Sequence, residues 1–361
     1  MSRKFNFHAG PSTLPVEVLE ELQKNMVDFQ GTGLSLIEES HRSANYEAVH
    51  NGAVDLFREM FSVPGNYKVL FLGGGGTLQF AMVPMNFLPQ GKTAEYVSTG
   101  TWSKKAIEDA KKLGSVRIVF DGKEGGYTTL PDPASMKVDP ESAYLHITSN
   151  ETIGGLEWKA WPETGNVPLI CDMSSDILSR PVPVEKFGMI YAGAQKNLGP
   201  AGTTVVILRD DMLDRVPDTL PAYLNYRNHA DNNSLYNTPP VFAIWTIKLV
   251  LEHMKRTGGL AAVTERNLKK AGLVYGVIDA SGGFYRSPVD VRYRSNMNLV
   301  FRLPTEELEK KFIDEAKAAG MIGLKGHRSV GGCRASLYNA MTVEGAGTLA
   351  DFMKEFAAKN G

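Results

Sequence analysis

The sequence predicts an α/β protein with a mostly parallel, seven-stranded sheet covered by helices, followed by a smaller α+β C-terminal domain. Three observations carry this. From residue 16 to 255, short apolar runs alternate with amphipathic segments, the pattern of strand–helix units. A long apolar helix then stops at Thr257-Gly258-Gly259, after which the pattern changes to three helices interleaved with two strands. Finally, 361 residues are more than one compact core usually holds.

In chain order, the segment before Leu14 is too short to be a domain and must dock on the remainder. Strands are expected at 68–72, 94–98, 116–120, 144–148, 168–173, 189–193 and 203–208, each an apolar run of buried-strand length. Between the second and third, TWSKKAIEDAKKLG reads as a helix closed by Gly114, with Ala106, Ile107, Ala110 and Leu113 on one face. Lys104, Lys105, Lys111 and Lys112 form its solvated side. The later connections are short, which suits one antiparallel strand. Beyond the junction come helices at 260–280, 305–319 and 343–358, with strands at 298–303 and 334–338. The expected division is 14–257 as the large domain and 258–361 as the small one, with 1–13 docking near the active site.

Composition narrows the function. The hydrophobic fraction of 43% and charged fraction of 22% are those of an ordinary globular protein. With 39 basic and 40 acidic residues the formal net charge is -1, so nothing points to nucleic acid or a membrane surface. The start lacks a continuous apolar core, no apolar run is long enough to span a bilayer, and the two cysteines are far apart. A cytoplasmic enzyme acting on small molecules is the expectation.

Its chemistry gathers at strand ends. Lys196, in MIYAGAQKNLGPAGTTVVILR, stands between two apolar runs, where an ammonium group is costly and a lowered pKa would expose a nucleophilic amine. Taken alone it could equally be a surface lysine. Asp172 ends the strand of PLICDMSSD; it can cap a turn, or it can hold a proton on a pyridine nitrogen. In VLFLGGGGTLQFAM a strand runs through four glycines into a helix at Thr77, which favours an anion at the helix start over a merely tight turn. Trp102 can stack on a flat ring or fill a core, and Thr152 can bond a ring substituent or a turn. Arg42, Arg328 and Arg334, with the pairs His41-Arg42 and His327-Arg328, suit a substrate bearing more than one negative group. The other histidines show no metal spacing.

With FNFHAGPSTLP, SHRS, GGGGTLQF, GTWS, SNETIGG, CDMSSD, AGAQKNLGPAG, YNTPP and GHRSVGGCRASLYNA in view, the chain resembles the phosphoserine aminotransferase family nearly end to end. These are class V aminotransferases of the fold type I pyridoxal-phosphate architecture. The resemblance implies that Lys196 forms the Schiff base with pyridoxal 5'-phosphate and that Asp172 partners its ring nitrogen. Gly76, Thr77 and Gln195 would hold its phosphate, Trp102 would stack on the ring, and Thr152 would bond the phenolic oxygen. Asn237 and Thr238 match residues that reach the cofactor of a neighbouring subunit, which implies a homodimer with shared sites. Arg42 and Arg334 resemble residues that hold substrate carboxylates; His41, His327 and Arg328 resemble those that receive a substrate phosphate. The implied reaction, in serine biosynthesis, moves the amino group of glutamate to 3-phosphohydroxypyruvate, giving O-phosphoserine and 2-oxoglutarate. Whether 4-phosphohydroxythreonine, of vitamin B6 synthesis, is a second substrate stays open. Ala9 stands where some members carry serine, which leaves only backbone for a contact there. The alternatives are another class V enzyme, which as a desulfurase would need a cysteine on a mobile loop, and a cofactor-free phosphate-binding protein, which leaves Lys196 and Asp172 unexplained.

Overall fold

The computed structural model describes residues 3–361. Its centre is a seven-stranded sheet made of Tyr67–Leu72 (β1), Thr93–Ser98 (β2), Ser115–Asp121 (β3), Leu145–Thr148 (β4), Leu169–Asp172 (β5), Met189–Gly193 (β6) and Thr204–Arg209 (β7), in the order β1-β7-β6-β5-β4-β2-β3. Only β7 runs antiparallel, with Thr204 opposite Leu72 on one side and Gly193 on the other. The remaining pairs are parallel.

Alternation along each strand builds two cores. Val69, Phe71, Cys171, Ile190, Ala192, Val205 and Ile207 enter one, whereas Leu70, Leu72, Ile170, Met189, Tyr191, Val206 and Leu208 enter the other. Both faces are covered, so the strands read as unbroken apolar runs. Helices Ala44–Phe61 and Val241–Arg256 close the first face through Ala53, Phe57, Ile244, Ile247 and Leu251. Helices Gly75–Phe87 and Thr101–Lys111 close the second through Phe80, Val83, Ala106, Ile107 and Ala110. Leu113 departs from its expected place on that face. The helix ends at Lys111, and Leu113 is exposed.

After Val241–Arg256 the chain turns at Gly258, whose φ of 100° favours a residue without Cβ, and enters helix Gly259–Ala280. Strands Asn298–Phe301 and Cys333–Ser336 pair antiparallel, packed by helices Gly259–Ala280, Glu306–Ala318 and Val343–Asn360 around Val274, Phe301, Phe312 and Phe356. The N-terminal segment joins this C-terminal core. Phe5–Asn6 pairs parallel with Met321–Ile322, and Phe7 is fully buried beside Leu299 and Phe301. Further on, Ser12 donates to the backbone carbonyls of Gln195 and Lys196, at 3.1 and 2.6 Å. Residues 1 and 2 of the expected docking segment lie outside the described residues. Among the described residues, no helix is long and apolar enough to cross a membrane.

Because Phe7 inserts a whole ring into a core it reaches from the far end of the chain, Phe7→Ala is expected to destabilise the protein by about 3–5 kcal/mol. Urea unfolding reads this directly. A variant as stable as the parent would mean that the segment does not hold this core.

Candidate active site

In an open parallel sheet, the strands end together on one edge, and the loops that leave them form a crevice. Strand β6 leads to Lys196, which is 8% exposed and donates from Nζ to Thr152 Oγ1 at 2.7 Å. Thr152 follows β4, on a turn built by pairing Asn150–Glu151 with Leu156–Glu157. Asp172 closes β5, buried, and Ser174 N donates to its Oδ1 at 2.8 Å. Strand β2 leads into helix Thr101–Lys111, whose first turn places the Trp102 ring centroid 5.6 Å from Lys196 Nζ. Strand β1 leads through Gly74, at φ 88°, into helix Gly75–Phe87, which has no side-chain cap. Its first turn carries Gly76 and Thr77.

Burial dominates the electrostatics. It pushes the Lys196 amine down from 10.5 to about 8, although the negative charges of Asp172 and Glu151 pull the other way. Asp172 is pushed up by burial and held back by its bonds from Ser174 and by the Lys196 charge. Arg334 lies on Cys333–Ser336, is 9% exposed and donates to Thr152 O at 3.2 Å. Its guanidinium makes no ion pair among the described residues, and its Nε has no partner. A buried cation left in this state calls for an anion from outside the chain. His327 accepts at Nδ1 from Ser329 N, which leaves the proton on Nε2. Burial lowers its pKa, and Arg334, Arg328 and Lys105 lower it further.

A cavity of about 250 Å³ joins most of the sequence-predicted residues: Gly76, Thr77, Trp102, Thr152, Asp172, Gln195, Lys196, His327 and Arg334 all line it. Others stand apart. His41, Arg42 and Arg328 do not line it, and Arg42 and Arg328 are exposed. Asn237 and Thr238 line a second concavity, with Gly73, Tyr223 and Ser234. Two participants were missed in the sequence. Lys105 is exposed, as its reading on a solvated face expects, but its Nζ is also 4.7 Å from the Trp102 ring centroid and its charge reaches His327. Glu151 is buried beside Trp102; its place in SNETIGG was the available signal. Ala9 lines the cavity and its carbonyl accepts from Tyr338 Oη at 2.7 Å, so backbone does supply a contact at that position.

These residues fit pyridoxal phosphate. The uncapped helix end at Gly76 and Thr77 offers backbone N–H groups to a phosphate. Asp172 provides a buried carboxylate for a protonated ring nitrogen, and Trp102 provides a flat wall. A lysine with a lowered pKa stands within the same cavity.

Comparisons with known proteins agree with this geometry. The family model for class-V aminotransferases matches residues 4–349. The phosphoserine aminotransferase of Geobacillus kaustophilus (strain HTA426) is 55% identical over 356 residues, 99% of each chain. That of Halalkalibacterium halodurans is 53% identical, again over 99% of each. Among solved structures, the phosphoserine aminotransferase from Bacillus circulans subsp. alkalophilus superposes with a TM-score of 0.98 at 53% identity, covering 99% of both chains. The PLP-bound phosphoserine aminotransferase from Trichomonas vaginalis gives 0.89 at 38% identity, over 98% of this chain and 100% of that one.

The lowered pKa of Lys196 has a thermodynamic signature. An unfolded chain holds this proton up to about pH 10.4, while the folded, cofactor-free chain releases it near 8. Between those values the unfolded state binds more protons, so stability rises with pH. Wild type should therefore gain on a Lys196→Met variant, by an amount on the order of 3 kcal/mol, as pH rises from below 8 to above 10. Denaturant midpoints of the two proteins across that range check it; parallel curves would mean an unshifted lysine.

Proposed function

We propose how this chain works from one premise: it belongs to the class-V aminotransferases, and within them to the phosphoserine aminotransferase family. It is a pyridoxal-phosphate-dependent aminotransferase. We infer that its substrates are glutamate and 3-phosphohydroxypyruvate, and its products 2-oxoglutarate and O-phosphoserine, the reaction being reversible. The observation that carries this is the unpaired, buried guanidinium of Arg334, with His327 beside it, in the cavity of Lys196. Such a cluster suits an amino acid with a carboxylate at one end and a second anionic group at the other.

When bound, pyridoxal phosphate supplies an electron sink for the pair left as the substrate Cα loses its proton. Lys196 Nζ, whose pKa burial lowers to about 8, takes that proton from Cα in one direction and returns it in the other. Asp172 holds a proton on the ring nitrogen. The backbone N–H groups of Gly76 and Thr77, with the Gln195 side chain, bind the phosphate at the helix start. Trp102 covers one face and excludes water, and Thr152 orients the Lys196 amine through the bond at 2.7 Å. Arg334 holds the α-carboxylate in two-point fashion.

His327 and Arg328 receive the variable end, either the side-chain carboxylate of glutamate or the phosphate of phosphoserine. A homodimer is part of the reading: in a single chain His41, Arg42, Asn237 and Thr238 stay outside the cavity, and a second copy is what would bring them to it. We also read 14–257 as the large domain and 258–361 as the small one, with the N-terminal segment 1–13 docking near the active site, and place the enzyme in the cytoplasm.

The decisive test is the visible absorption of the cofactor-loaded protein. Its band should bleach on addition of O-phosphoserine and return when 2-oxoglutarate is supplied; a band indifferent to O-phosphoserine would move the substrate assignment elsewhere. Replacement of Lys196 by alanine should lower turnover by about 10²–10⁴-fold, as expected for loss of a proton-transfer group. Joint replacement of His327 and Arg328 by alanine should damage turnover of phosphoserine more than that of glutamate, because a dianion depends more on paired cations. Equal losses in kcat/KM would end that division of roles.

A further inference from the structure

Beside the indole lies a carboxylate that the mechanism does not use. Glu151 is fully buried, and Thr99 Oγ1 reaches its Oε1 at 3.5 Å. Its Oε2 accepts from Trp102 N at 3.2 Å, and its Oε1 accepts from Ser103 N at 3.0 Å and from Ser103 Oγ at 2.8 Å. Ser103 Oγ itself accepts from Thr99 N and Gly100 N, both at 2.9 Å, and its own proton has two acceptors, Glu151 Oε1 at 2.8 Å and Gly100 O at 3.1 Å.

Ser103 Oγ thus receives the N–H at the cap position, but no side chain of the preceding residues reaches the N–H groups of Trp102 and Ser103. Gly100 occupies the cap position and has no side chain to offer. A Cβ at Gly100 would lie 2.6 Å from Glu151 Cδ, so the glycine leaves the space that the incoming carboxylate fills. A carboxylate suits this end of a helix, where N–H groups and the dipole both favour negative charge. An amide would not serve equally: two backbone N–H groups approach its two ends, and one of them would meet an NH₂.

We propose that Glu151 is the positioning residue for Trp102: from the strand end that carries Thr152, its carboxylate seats the first turn of helix Thr101–Lys111 and so fixes the indole plane over the cofactor. The inference rests on the reading of Trp102 as the ring-covering residue. It joins two walls of the site, because Thr152, the next residue, receives Lys196 Nζ. The Glu151 backbone is held independently, through pairing with Leu156 and the bond from Gly155 N to its carbonyl at 2.8 Å. Loss of the side chain thus releases the helix and leaves Thr152 in place.

The test uses the full chain loaded with pyridoxal phosphate, reading the cofactor dissociation constant and the visible circular dichroism of the bound ring. Glu151→Gln should weaken cofactor binding by about tenfold and diminish the dichroic band, as expected when a charge-assisted bond is lost. In a Trp102→Ala background the same substitution should change binding by less than about threefold, since coupled residues are not additive. The Glu151 charge is felt at Lys196 in either background, so the part of the effect that vanishes with Trp102 is the positioning part. An effect of undiminished size without the indole overturns the proposal, as does a Glu151→Gln variant equal to wild type. If Trp102→Ala alone leaves both readouts unchanged, the placement of Trp102 fails and the inference with it. Should Glu151→Gln fail to fold, Ser103→Ala keeps both backbone bonds while removing the hydroxyl. It should weaken binding by about threefold with Trp102 present and not without it; persistence without Trp102 again overturns the proposal.

Discussion

A lysine amine held out of water is the constraint around which the molecule is arranged. In bulk solvent Lys196 would stay charged to above pH 10; here burial is the largest influence on it and brings its titration close to 8. Keeping water from one flexible side chain takes walls from several directions. The Thr152 hydroxyl receives the amine, the Trp102 ring stands across from it, and Gly10 brings the N-terminal strap close enough that a Cβ there would lie 3.2 Å from Lys196 Cγ. Ser12 then anchors the strap to the carbonyls of Gln195 and Lys196.

The sheet makes this enclosure possible. Parallel strands release their chains on one edge, so the loops after β1, β2, β4, β5 and β6 deliver a helix start, an indole, a hydroxyl, a carboxylate and an amine to a common volume. Each reaches it from a rigid support, which is what proton transfer over fixed distances requires. The antiparallel β7 performs a different task. Lying between β6 and β1, it joins the strand that leads to Lys196 to the strand that leads to the helix start at Gly76 and Thr77.

Positive charge is organised on a second level. Arg334 and His327 enter the cavity from the C-terminal core, and Lys105 Nζ lies 4.7 Å from the Trp102 ring centroid. Negative charge is kept beneath the site, with Asp172 and Glu151 both buried. The amine thus lies between acids that favour its proton and an arginine that disfavours it. Burial outweighs the acids and leaves its pKa at about 8.

Much of this was legible in the sequence, for a local reason. A strand buried on both faces must be apolar throughout, so the inner sheet strands stand out as runs, whereas the edge strand Ser115–Asp121 has no buried residue; a charge at the end of a buried run signals a function that justifies its burial. Lys196 and Asp172 are legible in that way, and the glycine run before Thr77 marks an uncapped helix start. Other features have no local signature. Phe5–Asn6 finds its partner at Met321–Ile322 near the other end of the chain, Glu151 caps a helix fifty residues before it, and Lys105 looks like any solvated lysine until the cavity is seen beneath it. Nor does the motif YNTPP reveal that Asn237 and Thr238 open into a concavity of their own. The sequence by itself determined which segments are strands and which charges are too costly to be idle, because burial leaves its mark residue by residue. Which distant segments meet was decided only by the tertiary structure, because contacts between them depend on how whole layers pack and not on the residues at either end.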